Sequence, residues 1–303
     1  MTPSRSMIHF GTDGWRAIIG DDYTMDNLER VSLATARWVL ESYGADSGVV
    51  IGYDTRFRGR DFARAAARVM ASEGVRVVIS DTFAPTPAIS WATKEYGLQA
   101  GVVITASHNP PEYNGFKIKG YFGGSALPEM IAQVESRIEP FEAREYPDFD
   151  ELLKSGKVTE QPIKQAFVDH LQTIVDIDAI RDAGIIVLHD AMFGAGQGIL
   201  SELLGADRVI EKRCEINPGF EGISPEPIEK NLNELRDLIV QNGCDAAIAN
   251  DGDADRIGMA DERGDFVDSH KILALLIDYL HADKGLTGSI VKTFSTTDML
   301  DRM

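Results

Sequence analysis

Two stretches of this chain hold residue types that could do chemistry together. The first is Thr105-Ala-Ser-His-Asn-Pro-Pro-Glu-Tyr-Asn-Gly-Phe-Lys-Ile-Lys119, which follows the apolar run Gly101-Val-Val-Ile104. The run reads as a buried strand, and Asn109-Pro110-Pro111 blocks a helix after it. Ser107 is therefore expected on a tight loop at the C-terminal end of a strand, where open α/β sheets bind ligands. His108 is its neighbour, and Lys117 and Lys119 return at alternating spacing on what reads as the next strand. A hydroxyl flanked by an imidazole and two ammonium groups suits a group that carries phosphate. The plainer account is a surface turn whose Ser and Asn bond their own backbone.

The second stretch, Asn250-Asp-Gly-Asp-Ala-Asp-Arg256, follows another apolar run, Asp245-Ala-Ala-Ile-Ala249. Asp251, Asp253 and Asp255 are spaced two apart, so three carboxylates can converge on one side of an extended segment or wrap around one ion. Charges that close repel unless a cation neutralises them. Hard oxygen ligands in this number suit Mg²⁺ or Ca²⁺. A solvated acidic turn is the bland alternative, and the strand context argues against it.

The elements that must position these stretches follow a regular order. A tight turn, Phe10-Gly-Thr-Asp-Gly-Trp-Arg16, precedes a helix from about Asp26 to Tyr43, with Asp26 and Glu29 at capping-box spacing and Gly44 as its stop. The strand Gly48–Tyr53, the cationic loop Asp54-Thr-Arg-Phe-Arg-Gly-Arg60, a helix to Glu73 and the strand Arg76–Ser80 come next. Thr86 is expected to cap a helix that has Pro87 at its first position. The run into Ser107 completes the set, and a helix follows from about Pro128 to Ile138. Residues 139–160 lack periodicity and read as an interdomain connection with a short helix near Asp150–Leu153.

A second α/β unit opens with a helix from Ile163 to about Ile174 and a strand at Ile185–His189. The cluster Gly194-Ala-Gly-Gln-Gly198 lacks dinucleotide-binding spacing and reads as a close strand-to-helix turn. A helix from about Asn231 leads into the acidic loop. After it, Ile257–Ala260 and Phe266–Val267 flank a hairpin-like turn. A helix from about Ser269 to His281 and a strand at Ser289–Lys292 open a third unit. Alternating elements of this kind predict an α/β fold of consecutive three-layer α/β/α domains with mixed, mostly parallel sheets.

Length and composition bound what such a chain does. Its 303 residues suggest about two domains of ordinary size. With 44% hydrophobic and 26% charged residues it can bury a core. A net charge of −18 disfavours nucleic acid and anionic membrane surfaces as partners, so any phosphate site must be built from local Arg and Lys. The two cysteines, Cys214 and Cys244, make no metal or disulfide pattern and read as reduced thiols of a cytoplasmic protein. Residues 1–9 contain no apolar leader, and no run approaches a membrane span.

Together, Phe10–Arg16, Thr105–Pro110 with Tyr113-Asn-Gly-Phe-Lys117, and Asp251–Arg256 resemble the α-D-phosphohexomutase family of phosphoglucomutases, phosphomannomutases and phosphoglucosamine mutases. The resemblance implies that residues 1–150 match the family's first domain with its phosphoserine loop. Residues 158–263 then match the second, metal-binding domain, and 264–303 only the opening of the third. It implies a phosphoserine at Ser107, with Ser107, Asp251, Asp253 and Asp255 holding Mg²⁺. A hexose phosphate substrate would exchange its 1- and 6-phosphates through a sugar 1,6-bisphosphate, which also serves as activator. Arg16, Lys117 and Arg256 match family residues near the phosphoserine. Arg56, in the cationic loop, is a further phosphate-binding candidate. Lys117 and His108 are both open as proton-transfer groups. The sugar-recognition loop and the fourth, phosphate-anchoring domain have no counterpart here, so this chain alone is expected to turn over little.

Three rivals stand beside that resemblance. From Asp251, positions 1, 3, 5 and 12 (Glu262) fit a calcium loop, although Arg256 occupies the place that needs Gly. An aspartyl-phosphate phosphatase would use Asp251 or Asp253 as nucleophile. A binding module without catalysis is the third.

Overall fold

A computed structural model of the chain describes residues 8–303. The reading of the first seven residues as free of a leader lies outside them. The first lobe runs β1 (Trp15–Ile18), α1 (Met25–Tyr43), β2 (Gly48–Tyr53), α2 (Gly59–Glu73), β3 (Arg76–Ser80), α3 (Thr86–Glu95), β4 (Ala100–Ile104), β5 (Tyr113–Gly120), α4 (Pro128–Glu135), α5 (Phe149–Lys154) and β6 (Val158–Gln161). Its strands form one sheet in the order β1-β5-β4-β2-β3-β6. β4, β2, β3 and β6 are parallel, while β5 runs antiparallel to β4 and to β1.

Strand alternation decides which side chains face which helices. Along β2, Val49 and Ile51 point into the core shared with α1 and α2, whereas Val50 joins the opposite core with Ala88, Ile89 and Ala92 of α3. Both faces of the sheet are thus covered by helices, which is why β2 is buried along its whole length. Thr24 starts α1, its hydroxyl accepting from the Asn27 amide at 3.2 Å. The cap expected of Asp26 is therefore made two residues earlier. Gly44, at φ 95°, ends the helix as expected.

The second lobe runs α6 (Ile163–Ile174), α7 (Ile177–Asp182), β7 (Val187–Asp190), α8 (Ile199–Leu204), β8 (Val209–Lys212), α9 (Leu235–Asn242), β9 (Ala246–Asn250), β10 (Ile257–Ala260), β11 (Phe266–Val267) and α10 (Ser269–Asp278). Its sheet is ordered β11-β10-β9-β7-β8, with β9, β7 and β8 parallel and β10 and β11 antiparallel. The expected α/β class with mixed, mostly parallel sheets is what the structure shows. α6 leans back on the first lobe: Ile163 is fully buried in the α3 core, and Phe167 packs on Trp91.

Three local readings change. Trp15 and Arg16, read as the end of a turn, open the edge strand β1, which pairs with β5. Val158–Gln161, read as part of a connection, is a strand of the first sheet in register with Val77–Ser80. Ser289–Lys292 forms no ladder, and Val291 stands 94% exposed, so no neighbouring strand holds that apolar pair. No described helix is long and apolar enough to cross a membrane.

Candidate active site

Ser107 lies just past β4 and is 1% exposed, at φ 54°, in the left-handed region that a side chain normally avoids. Three groups keep it there. Its amide donates to Thr105 Oγ1 at 2.8 Å, and the Thr105 hydroxyl donates to Asp54 Oδ2 at 2.6 Å. Its carbonyl accepts from Arg56 at 2.8 Å. The same guanidinium also reaches the carbonyls of Asn109, Pro110 and Tyr113, and it stacks over Phe220 of the other lobe. Arg56 thus holds the Ser107 loop: both of its terminal nitrogens donate to backbone carbonyls, and its Nε faces Asp54. Its partner Asp54, 3.3 Å away, is driven by burial up to about 6 despite Arg56's pull. Burial likewise lowers Arg56 from its ordinary value.

The acidic loop between β9 and β10 meets this turn from the second lobe. The Ser107 hydroxyl donates to Asp251 Oδ2 at 2.9 Å. Asp251 Oδ1 accepts the amides of Asp255 and Arg256, both at 3.0 Å, so the loop folds round its own first carboxylate. Close approach of the two loops depends on Gly252, because a Cβ there would stand 2.5 Å from the Ser107 carbonyl oxygen. Gly194 serves the same purpose from behind: a Cβ would meet the Asp251 carbonyl at 2.7 Å. The glycine cluster is therefore a packing turn beneath the acidic loop, as its spacing suggested.

Lys117, on β5, closes the site electrostatically. Its ammonium lies 2.7 Å from Asp253, 3.1 Å from Asp255 and 2.7 Å from Asp13, joining carboxylates of both lobes. Burial alone would lower Lys117, but Asp253, Asp255 and Asp13 outweigh it and hold the ammonium charged. The two buried carboxylates separate accordingly. Burial and then the charges of Asp253 and Asp255 push Asp251 well up. Asp253 is also buried, but Lys117 and the Thr86 hydroxyl, donating at 2.6 Å, bring it below the usual range. Thr86, expected as a helix cap, is used here instead, and its amide donates to the Asp253 carbonyl at 2.8 Å.

Oxygen atoms of Asp251, Asp253 and Asp255 lie within 4.8 Å of one another. Asp253 Oδ1 is buried without a hydrogen-bond partner. A hard divalent cation fits that donor set, since it would satisfy the orphaned oxygen and the charge that Lys117 alone leaves unbalanced. Glu262, the twelfth position of the calcium-loop rival, lies in the exposed β10–β11 turn, and antiparallel strands rather than helices flank the loop. That rival is overturned.

Arg16 donates to Asn109 Oδ1 at 2.9 Å and lines an open cleft beside the site with Arg256, His9, Thr12 and Asp13. His108 Nδ1 is 3.5 Å from Ser107 Oγ, too far for a working hydrogen bond. Burial and then Arg256 lower its pKa, so the ring is neutral at neutral pH. The structure thus brings Ser107, Asp251, Asp253, Asp255 and Lys117 together, with Arg16, Arg256 and His108 on the rim. The sequence reading missed Asp13, Thr86 and the Asp54–Thr105 brace. Asp13 carried a signal, because it sits inside the Phe10–Arg16 motif.

Comparison with known proteins identifies relatives along nearly the whole chain. Residues 7–145 match the phosphoglucomutase/phosphomannomutase α/β/α domain I, and residues 165–264 match domain II. A phosphoglucomutase/phosphomannomutase of Thermococcus kodakarensis is 33% identical over 296 residues, 96% of this chain and 63% of that protein. A phosphopentomutase of the same organism is 30% identical, over 96% of this chain and 62% of its own length. The solved structure of a provisionally named phosphomannomutase from Thermus thermophilus superposes with a TM-score of 0.88 at 35% identity, covering 98% of this chain and 66% of the other. The chain thus spans a little under two thirds of the curated relatives it matches. By its two domain matches and its serine and aspartate loops, the chain belongs to the α-D-phosphohexomutase family.

Proposed function

We propose that residues 1–303 carry the phosphoryl-transfer centre of a phosphohexomutase, with Ser107 as the residue that bears the phosphoryl group. The observation that carries this reading is the 2.9 Å contact between Ser107 Oγ and Asp251 Oδ2, made across two lobes at the C-terminal ends of their sheets. A phosphoserine bears a charge of about −1.5 to −2. Placed beside three carboxylates it requires a cation, and Asp251, Asp253 and Asp255 would hold Mg²⁺. An ion held there would supply positive charge to offset that of the phosphoryl oxygens.

The chain's own residues do the rest. The Arg56 and Thr105 brace fixes the direction of Ser107 Oγ. Lys117 holds the acidic loop against the serine loop, and Arg16 and Arg256 offer positive charge in the adjacent cleft. In the forward step the P–O bond to Ser107 breaks and a P–O bond to a sugar hydroxyl forms, the hydroxyl proton passes to a base, and Ser107 Oγ, leaving with the electron pair, takes up a proton to regenerate its hydroxyl. His108 and Lys117 are the two candidate acceptors. The sugar then carries two phosphates, reorients, and returns the other one to Ser107. The division of labour proposed is residues 1–150 for the serine loop and 158–263 for the metal loop, with 264–303 opening a third domain, except that Val158–Gln161 completes the sheet of the first unit. Relatives of similar identity are named for hexose and for pentose phosphates, and among these we favour a hexose phosphate.

In this family, sugar recognition and remote-phosphate anchoring belong to domains beyond the two matched here, so the 303-residue chain alone should accept a phosphoryl group yet turn over little. The test incubates it with a hexose 1,6-bisphosphate and Mg²⁺, maps the phosphopeptide, and runs a coupled glucose 1-phosphate assay. Acid-stable phosphate on Ser107 with feeble turnover is expected. An acid-labile phosphate on Asp251 or Asp253 would instead establish the phosphatase alternative.

A further inference from the structure

A second group of metal-ligating side chains, sharing no residue with the three-aspartate loop, gathers at the ends of β7 and β8. β7 and β8 pair in parallel with His189 opposite Glu211, and Cys214 follows two residues after β8 ends. One ligand atom of each, an imidazole nitrogen, a carboxylate oxygen and the thiol sulfur, lies within 4.8 Å of the other two. His189 is 0% exposed, and its Nδ1 is buried without a hydrogen-bond partner. Its other nitrogen, Nε2, is 3.1 Å from Asn250 Oδ1. An amide oxygen can only accept, so Nε2 carries the proton and Nδ1 presents a lone pair. Metal-bound histidines are held in this way, the second nitrogen donating to a fixed oxygen.

We propose that His189 Nδ1, Cys214 Sγ and a Glu211 carboxylate oxygen form a site for a single Zn²⁺-class transition metal, distinct from the three-aspartate loop. Mixed nitrogen, sulfur and oxygen ligation favours such an ion over Mg²⁺. Three protein ligands leave a fourth position for water. Ligand oxygens and nitrogens about 2.0–2.2 Å and sulfur about 2.3 Å from the ion require only a modest closing of the cluster. The thiol currently donates to the Lys212 carbonyl at 3.3 Å, and on binding its proton leaves to solvent. Glu211 accepts the Ser201 hydroxyl at 2.8 Å, which leaves the second carboxylate oxygen for the ion. Lys164, a nearby cation, has its ammonium on the Gln197 carbonyl at 2.7 Å and over the Phe83 ring, not in an ion pair with Glu211. Through Asn250, whose amide donates to the Arg256 carbonyl at 3.0 Å, the site is mechanically joined to the end of the acidic loop.

Co²⁺ titration of the 303-residue chain in excess Mg²⁺ tests the assignment. A thiolate-to-cobalt charge-transfer band that saturates at one equivalent, and that Zn²⁺ bleaches, is expected. Cys214→Ser should abolish the band, Glu211→Gln should weaken cobalt binding by about tenfold or more, and Cys244→Ser should leave the band in place. Absence of the band in the parent, or its survival in Cys214→Ser, overturns the proposal. Cys214 is partly exposed, so its serine variant tests the ligand without disturbing the core.

Discussion

Replacing Gly252 by alanine tests whether contact between the two loops is the working feature of the site. The added Cβ would stand 2.5 Å from the Ser107 carbonyl oxygen and 3.1 Å from Pro225 Cγ. Ordinary contact at that carbonyl needs about 3.4 Å or more, so one loop must retreat by nearly an ångström. Neither side yields easily. The serine loop is pinned by Arg56, and the acidic loop backs onto Gly194, itself without room. Overpacking of this kind costs about 1–3 kcal/mol, offset by about 0.4–1 kcal/mol because alanine has less freedom than glycine when unfolded. The net loss should lower Tm by a few degrees. The functional loss should be larger, since a misplacement near 1 Å costs about 100-fold in rate at a positioned centre. Calorimetric Mg²⁺ binding, phosphopeptide mapping after exposure to a hexose 1,6-bisphosphate, and thermal unfolding read the three quantities. Parent-like metal binding and parent-like phosphorylation of Ser107 in Gly252→Ala would refute the reasoning.

Other perturbations address the charges. Lys117→Met strands the buried Asp253 carboxylate and should cost about 3–5 kcal/mol in denaturant unfolding. Mg²⁺ should restore part of that loss, and a loss independent of Mg²⁺ would argue against a cation site. Asp54 is raised from 3.8 to about 6 in the folded chain. The folded state therefore binds the proton more tightly, and Asp54's contribution to stability is full below pH ~4 and lost as pH rises through ~6. The difference in unfolding free energy between the parent and Asp54→Asn should shift by up to about 3 kcal/mol across that window, and a flat difference would contradict the assignment. Cys214 is pushed up to about 12, chiefly by burial and then by Glu211. In the presence of a chelator its alkylation at mild alkaline pH should run about 1,000-fold slower than that of a free thiol, and a free-thiol rate by mass spectrometry would contradict this.

Much of the architecture was legible because hydrophobic alternation and turn residues agree with the fold along most of the chain. Val49, Val50 and Ile51 announce a strand buried on both faces, and Asn109-Pro110-Pro111 announces a break after β4. Where the local signal was weak, tertiary pairing decided. Val158-Thr-Glu-Gln161 has one apolar residue in four and is a strand because β3 offers its open edge. Thr86 has the chemistry of a cap, but a buried carboxylate from the other lobe claims its hydroxyl. Within the site, Ser107 and the three aspartates were readable from motif and spacing. The role of Arg56 was not, because a sequence does not show that four carbonyls of a distant loop will surround one guanidinium. Cys214 looked inert for the same reason: only the pairing of β7 with β8 sets His189 and Glu211 side by side near it.

The position of β6 bears on how the protein can be cut into parts and how it emerges from the ribosome. Cleaving the gene after residue 150 would strip the first sheet of its outermost strand and bare the backbone donors and acceptors of Val77–Ser80, a sticky margin that invites aggregation. Any excised serine-bearing fragment has to extend through Gln161. During synthesis that margin stays open until the same residue has left the exit tunnel, well after every other strand of the sheet is available.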